Sequence, residues 1–299
     1  MEALKNKIDF GVIVCVKNAN PNGDPLNGNR PRVNYDGYGE ISDVCIKRKI
    51  RNRLMETGKS IFVQSDDNKV DEYKSLKARI DGELKNVDMK DDKKYREEVC
   101  KKWLDVRAFG QVFAYKAGAK KGKKGVEDEE EQGDEKAVSI GIRGPVSIHS
   151  AFSVNPVNIT STQITKSVSG EGDGTKRGSD TMGMKHRIDH GVYVFYGSMN
   201  PQLASKTGFS DEDSEAIKEA LIELFQNDAS SARPEGSMEV YKVFWWKHNC
   251  KNGQYSSACV HRSLKVTTKL SVIEPKDIGD YDIDIQQLED LKLEVFNGI

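Results

Sequence analysis

Runs of β-branched and aromatic residues constrain the fold of this sequence more than any other feature. The three clearest runs are residues 8–16 (IDFGVIVCV), 189–200 (DHGVYVFYGSMN) and 237–249 (SMEVYKVFWWKHN). Runs of this length and composition predict strands. The first has no charged residue after Asp9, which is typical of a strand in the middle of a sheet. We therefore expect a sheet in which the first run is a central strand.

Two segments carry the sequence signals of helices. Residues 42–56 begin with Ser42, a good N-cap, and continue as DVCIKRKIRNRLME with apolar residues at helical spacing. Residues 210–228 begin with a serine and three acidic residues and carry an apolar stripe. We also expect a second strand at residues 60–64 (SIFVQ) and one or two peripheral helices within residues 66–104.

The order of these elements predicts the fold class. Strand, helix, strand, insertions, strands, helix and strands follow one another, and the alternating βα pattern of a Rossmann fold is missing. This order favours the α+β class, with an antiparallel sheet and helices on one face, as in ferredoxin-like and RNA-recognition folds. We expect one domain over residues 1–299, with residues 66–104 as a helical insertion.

Residues 116–136 (KAGAKKGKKGVEDEEEQGDEK) are low in complexity, with a basic half followed by an acidic half. A segment of this composition has too little apolar surface to form a core, so we predict a disordered loop. The alternative is a basic tail that binds nucleic acid, although the adjacent acidic residues would compete for it.

Composition excludes some function classes. The net charge is −1, so attraction to a polyanion must come from a local patch. No apolar run approaches the roughly 18 residues of a membrane span, and the N-terminus lacks the pattern of a secretory signal. The five cysteines are scattered without a CxxC pair, which suits a reducing cytoplasm better than a disulfide framework. We expect a cytoplasmic protein without membrane contact.

Residues 18–32 (NANPNGDPLNGNRPR) combine three prolines, two glycines and five asparagines with two arginines. The helix predicted after this loop carries Lys47, Arg48 and Arg51 along one edge of its apolar stripe. Cations beside loop amides and a helix N-terminus can form a track for phosphate groups. The alternative is solvated charge, because long basic side chains often flank a buried stripe.

Residues 165–187 are rich in glycine but match neither a P-loop nor a Rossmann loop, since a strand and not a helix follows them. We expect a long hairpin, with an ordinary surface loop as the alternative. Its basic side chains include Lys166, Lys176, Arg177, Lys185 and His186.

Two sets of residues could bind a metal. The sequence KHNC…CVH would place four soft zinc ligands on two paired strands, with buried thiols and surface histidines as the alternative. These ligands would be His248, Cys250, Cys259 and His261. Near the phosphate track, Asp24, Asp36 and Asp43 could serve as a base or as metal ligands for RNA cleavage, or they could be turn and helix-end residues.

Several blocks of the sequence resemble the backbone subunit of CRISPR Cascade complexes, specifically its type I-C branch. The most specific blocks are NANPNGDP, RPRV and SDVCIKRKIRNRL, and later blocks are RGPVSIHSAFSVNPV, ITKSVSGEG, TMGMKH and KTGFSDED. The resemblance extends from residue 8 to about residue 265. Met184 stands where the family leads us to expect a basic residue.

The resemblance implies a hand-shaped protein. Its palm would be a modified RNA-recognition sheet, its thumb the hairpin at residues 165–187, and its copies would form a helical filament along one CRISPR RNA. Specificity would come from base pairing with a target DNA strand, while the protein holds the RNA backbone. The implied partners are CRISPR RNA, target DNA, copies of the chain and other Cascade subunits, and no cofactor is implied.

The resemblance also implies site residues for a non-catalytic RNA-binding subunit. The palm contacts would be Asn20, Asn22, Arg30, Arg32, Lys47, Arg48 and Arg51. The thumb contacts would be Lys166, Lys176, Arg177, Lys185 and His186. The first alternative is a metal-dependent RNA endonuclease that uses Asp24 or Asp36, because related backbone subunits cut RNA from the equivalent loop region. The second is a zinc-containing interaction protein that binds no nucleic acid.

Overall fold

The computed structural model describes residues 2–85, 87, 91–115, 138–167 and 182–299. The predicted disordered loop, residues 116–136, lies outside these ranges, as does most of the predicted thumb. The strands are β1 (Ile8–Ala19), β2 (Gly23–Asp24), β3 (Arg30–Pro31), β4 (Tyr38–Ile41), β5 (Gly110–Tyr115), β6 (Val138–Arg143), β7 (Val146–Ile148), β8 (Ala151–Pro156), β9 (Ile159–Thr165), β10 (Met182–Met199), β11 (Met238–Lys247), β12 (Leu264–Thr268), β13 (Tyr281–Ile285) and β14 (Lys292–Asn297). The helices are α1 (Asp43–Glu56), α2 (Leu76–Glu83), α3 (Asp92–Lys102), α4 (Leu104–Phe109), α5 (Pro201–Thr207), α6 (Asp211–Ile222) and α7 (Ser257–Ser263).

One large antiparallel sheet organises the molecule. Its strand order is β14-β11-β1-β10-β8-β4, and β7 and β9 also pair with β10. Strand β1 pairs with β10 along one edge and with β11 along the other, so Phe10 lies opposite both Gly197 and Trp245. This arrangement confirms the expectation of helices combined with an antiparallel sheet in which the first apolar run is central.

The two faces of β1 are buried under different layers. Phe10, Val12 and Val14 point into the core that α1, α5 and α6 share with the sheet. Ile13 and Cys15 point into a second core, which α7 and the β12–β13 pair cover. The expectation that helices lie on one face is therefore wrong in this respect. Because β1 is apolar at almost every position, both of its faces require a covering layer.

The first predicted helix forms as expected. The Ser42 hydroxyl accepts a hydrogen bond from the backbone N–H of Cys45, which caps the N-terminus of α1. Ile46, Ile50 and Leu54 lie one turn apart and are buried in the first core.

The helical insertion has a core of its own. Helices α2 and α3 lie within residues 66–104, where they were predicted, and the short helix α4 follows them. Phe62, Tyr95, Trp103 and Phe113 pack together in a separate cluster, with ring centroids 4.8–5.5 Å apart. No helix of the described ranges is long and apolar enough to cross a membrane.

The prediction of a strand at residues 60–64 is wrong. Ile61 and Phe62 are buried, as the apolar pattern required, but the backbone hydrogen bonds go to a side chain instead of a neighbouring strand. The carboxylate of Asp105 accepts hydrogen bonds from the backbone N–H groups of Phe62 at 2.7 Å and Val63 at 3.0 Å. The carbonyl of Phe62 in turn accepts a hydrogen bond from the buried Arg79 side chain at 2.7 Å, so two buried side chains replace the partner strand.

Candidate nucleic-acid interface

The turn-rich loop after β1 is a small folded unit. Strands β2 and β3 pair across a 3-10 turn at Pro25–Asn27, and Gly28 and Asn29 close the turn with φ angles of 58°. Glycine and asparagine tolerate this left-handed conformation better than other residues, which explains their presence here. The Asp24 carboxylate caps the turn by accepting a hydrogen bond from the backbone N–H of Leu26 at 3.2 Å. The side chain of Leu26 is 98 % exposed at the tip.

Asn20 and Asn22 are part of the framework of this loop. The Asn20 side chain is buried, and its amide donates to the carbonyl of Asn29 at 2.7 Å. The Asn22 side-chain oxygen accepts hydrogen bonds from the backbone N–H and the hydroxyl of Ser42, both at 2.9 Å. The two asparagines thus fix the loop against itself and against the start of α1. Their contact with RNA stays a prediction.

The two arginines of the loop differ in their surroundings. Arg32 lies 3.4 Å from the Asp24 carboxylate, and its backbone N–H donates to the carbonyl of Asn22. Arg30 lies opposite Asp24 in the β2–β3 pair and has no ion pair among the residues that the structure describes. Arg30 therefore keeps its charge available at the surface.

The cations predicted on α1 all have acidic partners. Lys47 pairs with Asp43 one turn earlier, at 2.9 Å. Arg48 forms a hydrogen-bonded pair with Asp67 that is more than half exposed. Such exposed pairs contribute little stability and can be exchanged for another anion.

Arg51 differs from these two because its partner is buried. Its Nε donates to the Asp105 carboxylate at 3.0 Å, and its guanidinium lies over the ring of Phe109. The structure thus gives Arg51 an intramolecular role between α1 and the insertion. Its contact with RNA stays a prediction.

The paired strands β9 and β10 form a ribbon at the predicted thumb. The pairing runs from Ile159↔Ile188 to Thr165↔Met182. Successive side chains of a strand point to opposite faces, so Lys185 and Arg187 lie on one face of β10, and Met184 and His186 lie on the other. The ring of His186 is hydrogen-bonded to the Ser161 hydroxyl at 2.8 Å. The structure therefore divides the predicted thumb contacts between two faces.

The remaining predicted thumb contacts are Lys166, Lys176 and Arg177. Lys176 and Arg177 lie outside the described residues, while Lys166 is exposed just beyond the end of β9.

The prediction of two paired strands carrying zinc ligands is wrong in its geometry. His248 follows β11, whereas Cys259 and His261 lie in helix α7. The alternative prediction of buried thiols and surface histidines is wrong for three of the four residues. Both histidines are buried, and Cys250 is exposed. No group of three or more metal-binding side chains occurs among the described parts of the chain.

The histidines instead surround a buried carboxylate that sequence reasoning missed. Asp9 lies at the start of β1 and is fully buried, with His248 Nε2 2.8 Å from one of its oxygens and His261 Nε2 3.5 Å from the other. The backbone N–H of Gln254 donates to His248 Nδ1, so Nε2 carries the proton toward Asp9. Although burial favours the protonated carboxyl, hydrogen bonds from His248 and His261 hold the pKa of Asp9 well below its ordinary value. The only sequence signal was an acidic residue beside an apolar run.

The acidic residues near the loop occupy structural positions. Asp24 is the cap and partner of Arg32 described above. Asp36 is exposed in a turn, where its backbone N–H donates to the side chain of Asn34 at 3.0 Å. Asp43 is the helix-end partner of Lys47. These contacts are the turn and helix-end roles that the sequence left open as the alternative.

Comparison with known proteins gives a family match over most of the chain. The sequence model of the family described as "Cas_Cas7: CRISPR-associated protein Cas7" matches residues 6–286. A curated relative from Haloferax volcanii, named CRISPR-associated protein Cas7, is 28 % identical over 237 residues. That alignment covers 76 % of this chain and 66 % of the relative, so the chain spans just under two thirds of the relative's length.

Two solved structures also align with the chain. One is named "CRISPR RNA-guided surveillance complex, pre-nicking"; the alignment has a TM-score of 0.42 and 14 % identity and covers 80 % of this chain and 78 % of that one. The other is named "CRISPR RNA-guided surveillance complex"; the alignment has a TM-score of 0.40 and 15 % identity and covers 80 % and 68 % of the two chains.

Proposed function

Since this chain belongs to the CRISPR-associated protein Cas7 family, we propose that it is the CRISPR RNA-binding backbone subunit of a type I-C Cascade interference complex. The observation that carries the proposal is the family match over residues 6–286, which includes the turn-rich loop, α1 and both arms of the β9–β10 ribbon. The type I-C branch rests on the resemblance of the loop and of the start of α1.

The topology supports a palm built on an RNA-recognition fold. Along the chain, β1, α1, β8, β10, α6 and β11 follow one another, and in the sheet their strands lie in the order β11-β1-β10-β8. Four antiparallel strands and two helices that follow one another in this order form the pattern of the split βαβ fold. We infer that these elements are the palm and that the β9–β10 ribbon is the base of the thumb.

The distribution of charge supports binding to an RNA backbone. Arg30, Arg48 and Lys185 are at least partly accessible, and within the described part of the chain none of them is paired with a buried carboxylate. Exposed cations bind phosphate groups without regard to base sequence. The bases would then stay available for pairing with a target DNA strand.

Further partners belong to the same proposal. Leu26 and Tyr35 are large side chains with almost no cover, at 98 % and 109 % exposure, and both lie on the loop region between β2 and β4. Both side chains are therefore available for contact with another molecule. We propose that this region contacts RNA or a neighbouring subunit in a cytoplasmic filament of repeated copies and other Cascade subunits.

We propose that the chain is non-catalytic. The support is that the Asp24 carboxylate is already engaged by a backbone N–H and by Arg32. The purified complex with Mg²⁺ is expected to leave bound RNA intact. Metal-dependent cleavage that Asp24→Asn or Asp36→Asn abolishes would establish the endonuclease alternative.

The main test is RNA binding measured over a range of salt concentrations. Wild type, Arg48→Gln and Lys185→Gln should be compared with Lys93→Gln, a matched control on the exposed face of α3. Each lost phosphate contact should lower the slope of log affinity against log salt by about 0.7, while the control should match wild type. Equal slopes for all four proteins, or no RNA binding by wild type, would contradict the proposal.

A further inference from the structure

A small cavity lies beside the turn-rich loop, against one face of α1. Its volume is about 180 Å³. Three elements enclose it: the loop after β1, helix α1 and the segment after α6. The lining residues that carry the argument are Cys45, Arg48, Lys49, Asn52, Asp228 and Arg233.

Helical spacing and one long-range hydrogen bond build this cavity. Positions 45, 48, 49 and 52 follow the i, i+3, i+4 and i+7 pattern, so they share one face of α1. The segment that carries Arg233 is fixed by a bridge between Ser230 and Arg233 and by a hydrogen bond from the backbone N–H of Asn20 to the carbonyl of Ala232 at 2.9 Å. Residues about two hundred positions apart thus meet around one space.

The charges around the cavity do not balance. Lys49 is 5 % exposed and is paired with Asp228, and the Nε of Arg233 donates to the same Asp228 oxygen at 3.0 Å. Two cations therefore share one carboxylate in a largely buried position. Burial lowers the pKa of Lys49, and the charge of Arg233 adds to that effect while Asp228 opposes it. Excess buried charge is unfavourable unless another group compensates it.

Hydrogen-bond donors also remain available in the cavity wall. The Nε of Arg233 is hydrogen-bonded to Asp228, and its two terminal nitrogens make no hydrogen bond or ion pair with any residue in the described ranges. Asn52 has no side-chain hydrogen bond to any residue that the structure describes. Arg48 lies in the same wall, and its one ion pair with a described residue is the exposed one with Asp67. A guanidinium and an amide can donate to several oxygens of one tetrahedral anion.

We propose that this cavity binds one phosphate group, with Arg233, Lys49 and Asn52 as its donors. Resting on the proposed function, the ligand is a backbone phosphate of the bound RNA. The phosphate supplies the second negative charge that is needed because Lys49 and Arg233 share one carboxylate. Sequence reasoning selected none of these three donors, although it selected Asn22 and Arg48, which also line the cavity. Arg233 comes from a segment without any basic run.

The first test uses inorganic phosphate and thermal unfolding of the full chain. Phosphate should be compared with NaCl at equal ionic strength. At about ten times its Kd, phosphate should raise the Tm of wild type by about 2 °C. Arg233→Gln should lose this shift, and Arg262→Gln, an exposed cation on α7, should keep it. Asn52→Asp provides a second variant of nearly unchanged shape, in which the added charge should repel phosphate.

The outcomes separate the possible sources of the anion. An equal phosphate shift in wild type, Arg233→Gln and Asn52→Asp would overturn the cavity as a phosphate site. The second test is RNA affinity against salt, where Arg233→Gln should lose about 0.7 of the log–log slope and Arg262→Gln none. A phosphate shift that depends on Arg233 without a change in slope would mean that the cavity takes free phosphate, which overturns the RNA assignment. If wild type binds no RNA, the proposed function fails, whereas the phosphate test still decides the cavity.

Discussion

Replacing Asp105 by alanine should destabilise the protein far more than any exposed acidic substitution. The Asp105 carboxylate is 1 % exposed and accepts three hydrogen bonds, from the backbone N–H groups of Phe62 and Val63 and from Arg51 Nε. In Asp105→Ala, the Arg51 guanidinium loses its partner in a mostly buried position, and two backbone donors lose their acceptor.

The size of this effect follows from the burial of the pair. Breaking a buried ion pair from one side costs about 3–5 kcal/mol of folding free energy, since it leaves an uncompensated charge. Each orphaned backbone N–H costs about 1–3 kcal/mol by itself, and these terms overlap with the first. With an unfolding entropy of about 2.1 cal/mol/K for each of 299 residues, a loss of about 3–5 kcal/mol lowers the Tm by about 5–8 °C.

The matched control removes the acidic partner of another α1 cation. Arg48 precedes Arg51 by three positions, and its partner is Asp67. Both Arg48 and Asp67 are more than half exposed. Asp67→Ala should therefore cost less than about 1 kcal/mol and move the Tm by less than about 2 °C. Both variants should be melted with circular dichroism as the readout. Equal Tm losses for Asp105→Ala and Asp67→Ala would refute the structural role assigned to Asp105.

Two other predictions concern groups whose pKa the fold shifts. Because the pKa of Asp9 is lowered in the folded state, its stabilising effect is complete above the unfolded pKa of about 3.9 and is lost as the pH falls below that value. The Tm of wild type should thus fall more steeply between about pH 5 and pH 2 than the Tm of Asp9→Asn. Parallel profiles of Tm against pH would contradict this assignment. Burial raises the pKa of Cys15 to about 12 and that of Cys100 to about 11, so a thiol reagent at neutral pH should modify the exposed Cys250 first. Mass spectrometry of peptides after brief labelling would disprove this order if Cys15 or Cys100 reacted as fast as Cys250.

Much of the fold could be predicted from local sequence because its signals are local. Ser42 caps α1 and Ser210 caps α6, and each cap precedes an apolar stripe that becomes buried. A cap and a stripe lie within a few residues of each other, so a short window contains everything that defines the helix. The same holds for β1, whose apolar run is long enough to identify a central strand.

The strand wrongly predicted at residues 60–64 shows where local patterns fail. The apolar side chains there are buried, as predicted, but burial does not determine which group accepts the backbone hydrogen bonds. That acceptor is Asp105, more than forty positions away in the sequence, in a segment whose pattern gives no sign of the contact. The same reason hid the pair of Asp9 and His248, which lie 239 positions apart.

At the candidate interface, the sequence shows where the cations are but does not show which of them are free to bind RNA. The sequence shows that α1 is basic, and the i, i+4 spacing of Asp43 and Lys47 even predicts one of its ion pairs. Which other cations can meet RNA depends on acidic groups from distant segments: a buried one engages Arg51, while Arg48 is held only at the surface. On the face of the helix that lines the cavity, Lys49 has to share its partner with Arg233. A phosphate site is therefore defined by the charge that remains after the fold has formed its own pairs, and Lys49 and Arg233 leave such a remainder beside the loop where the cavity lies.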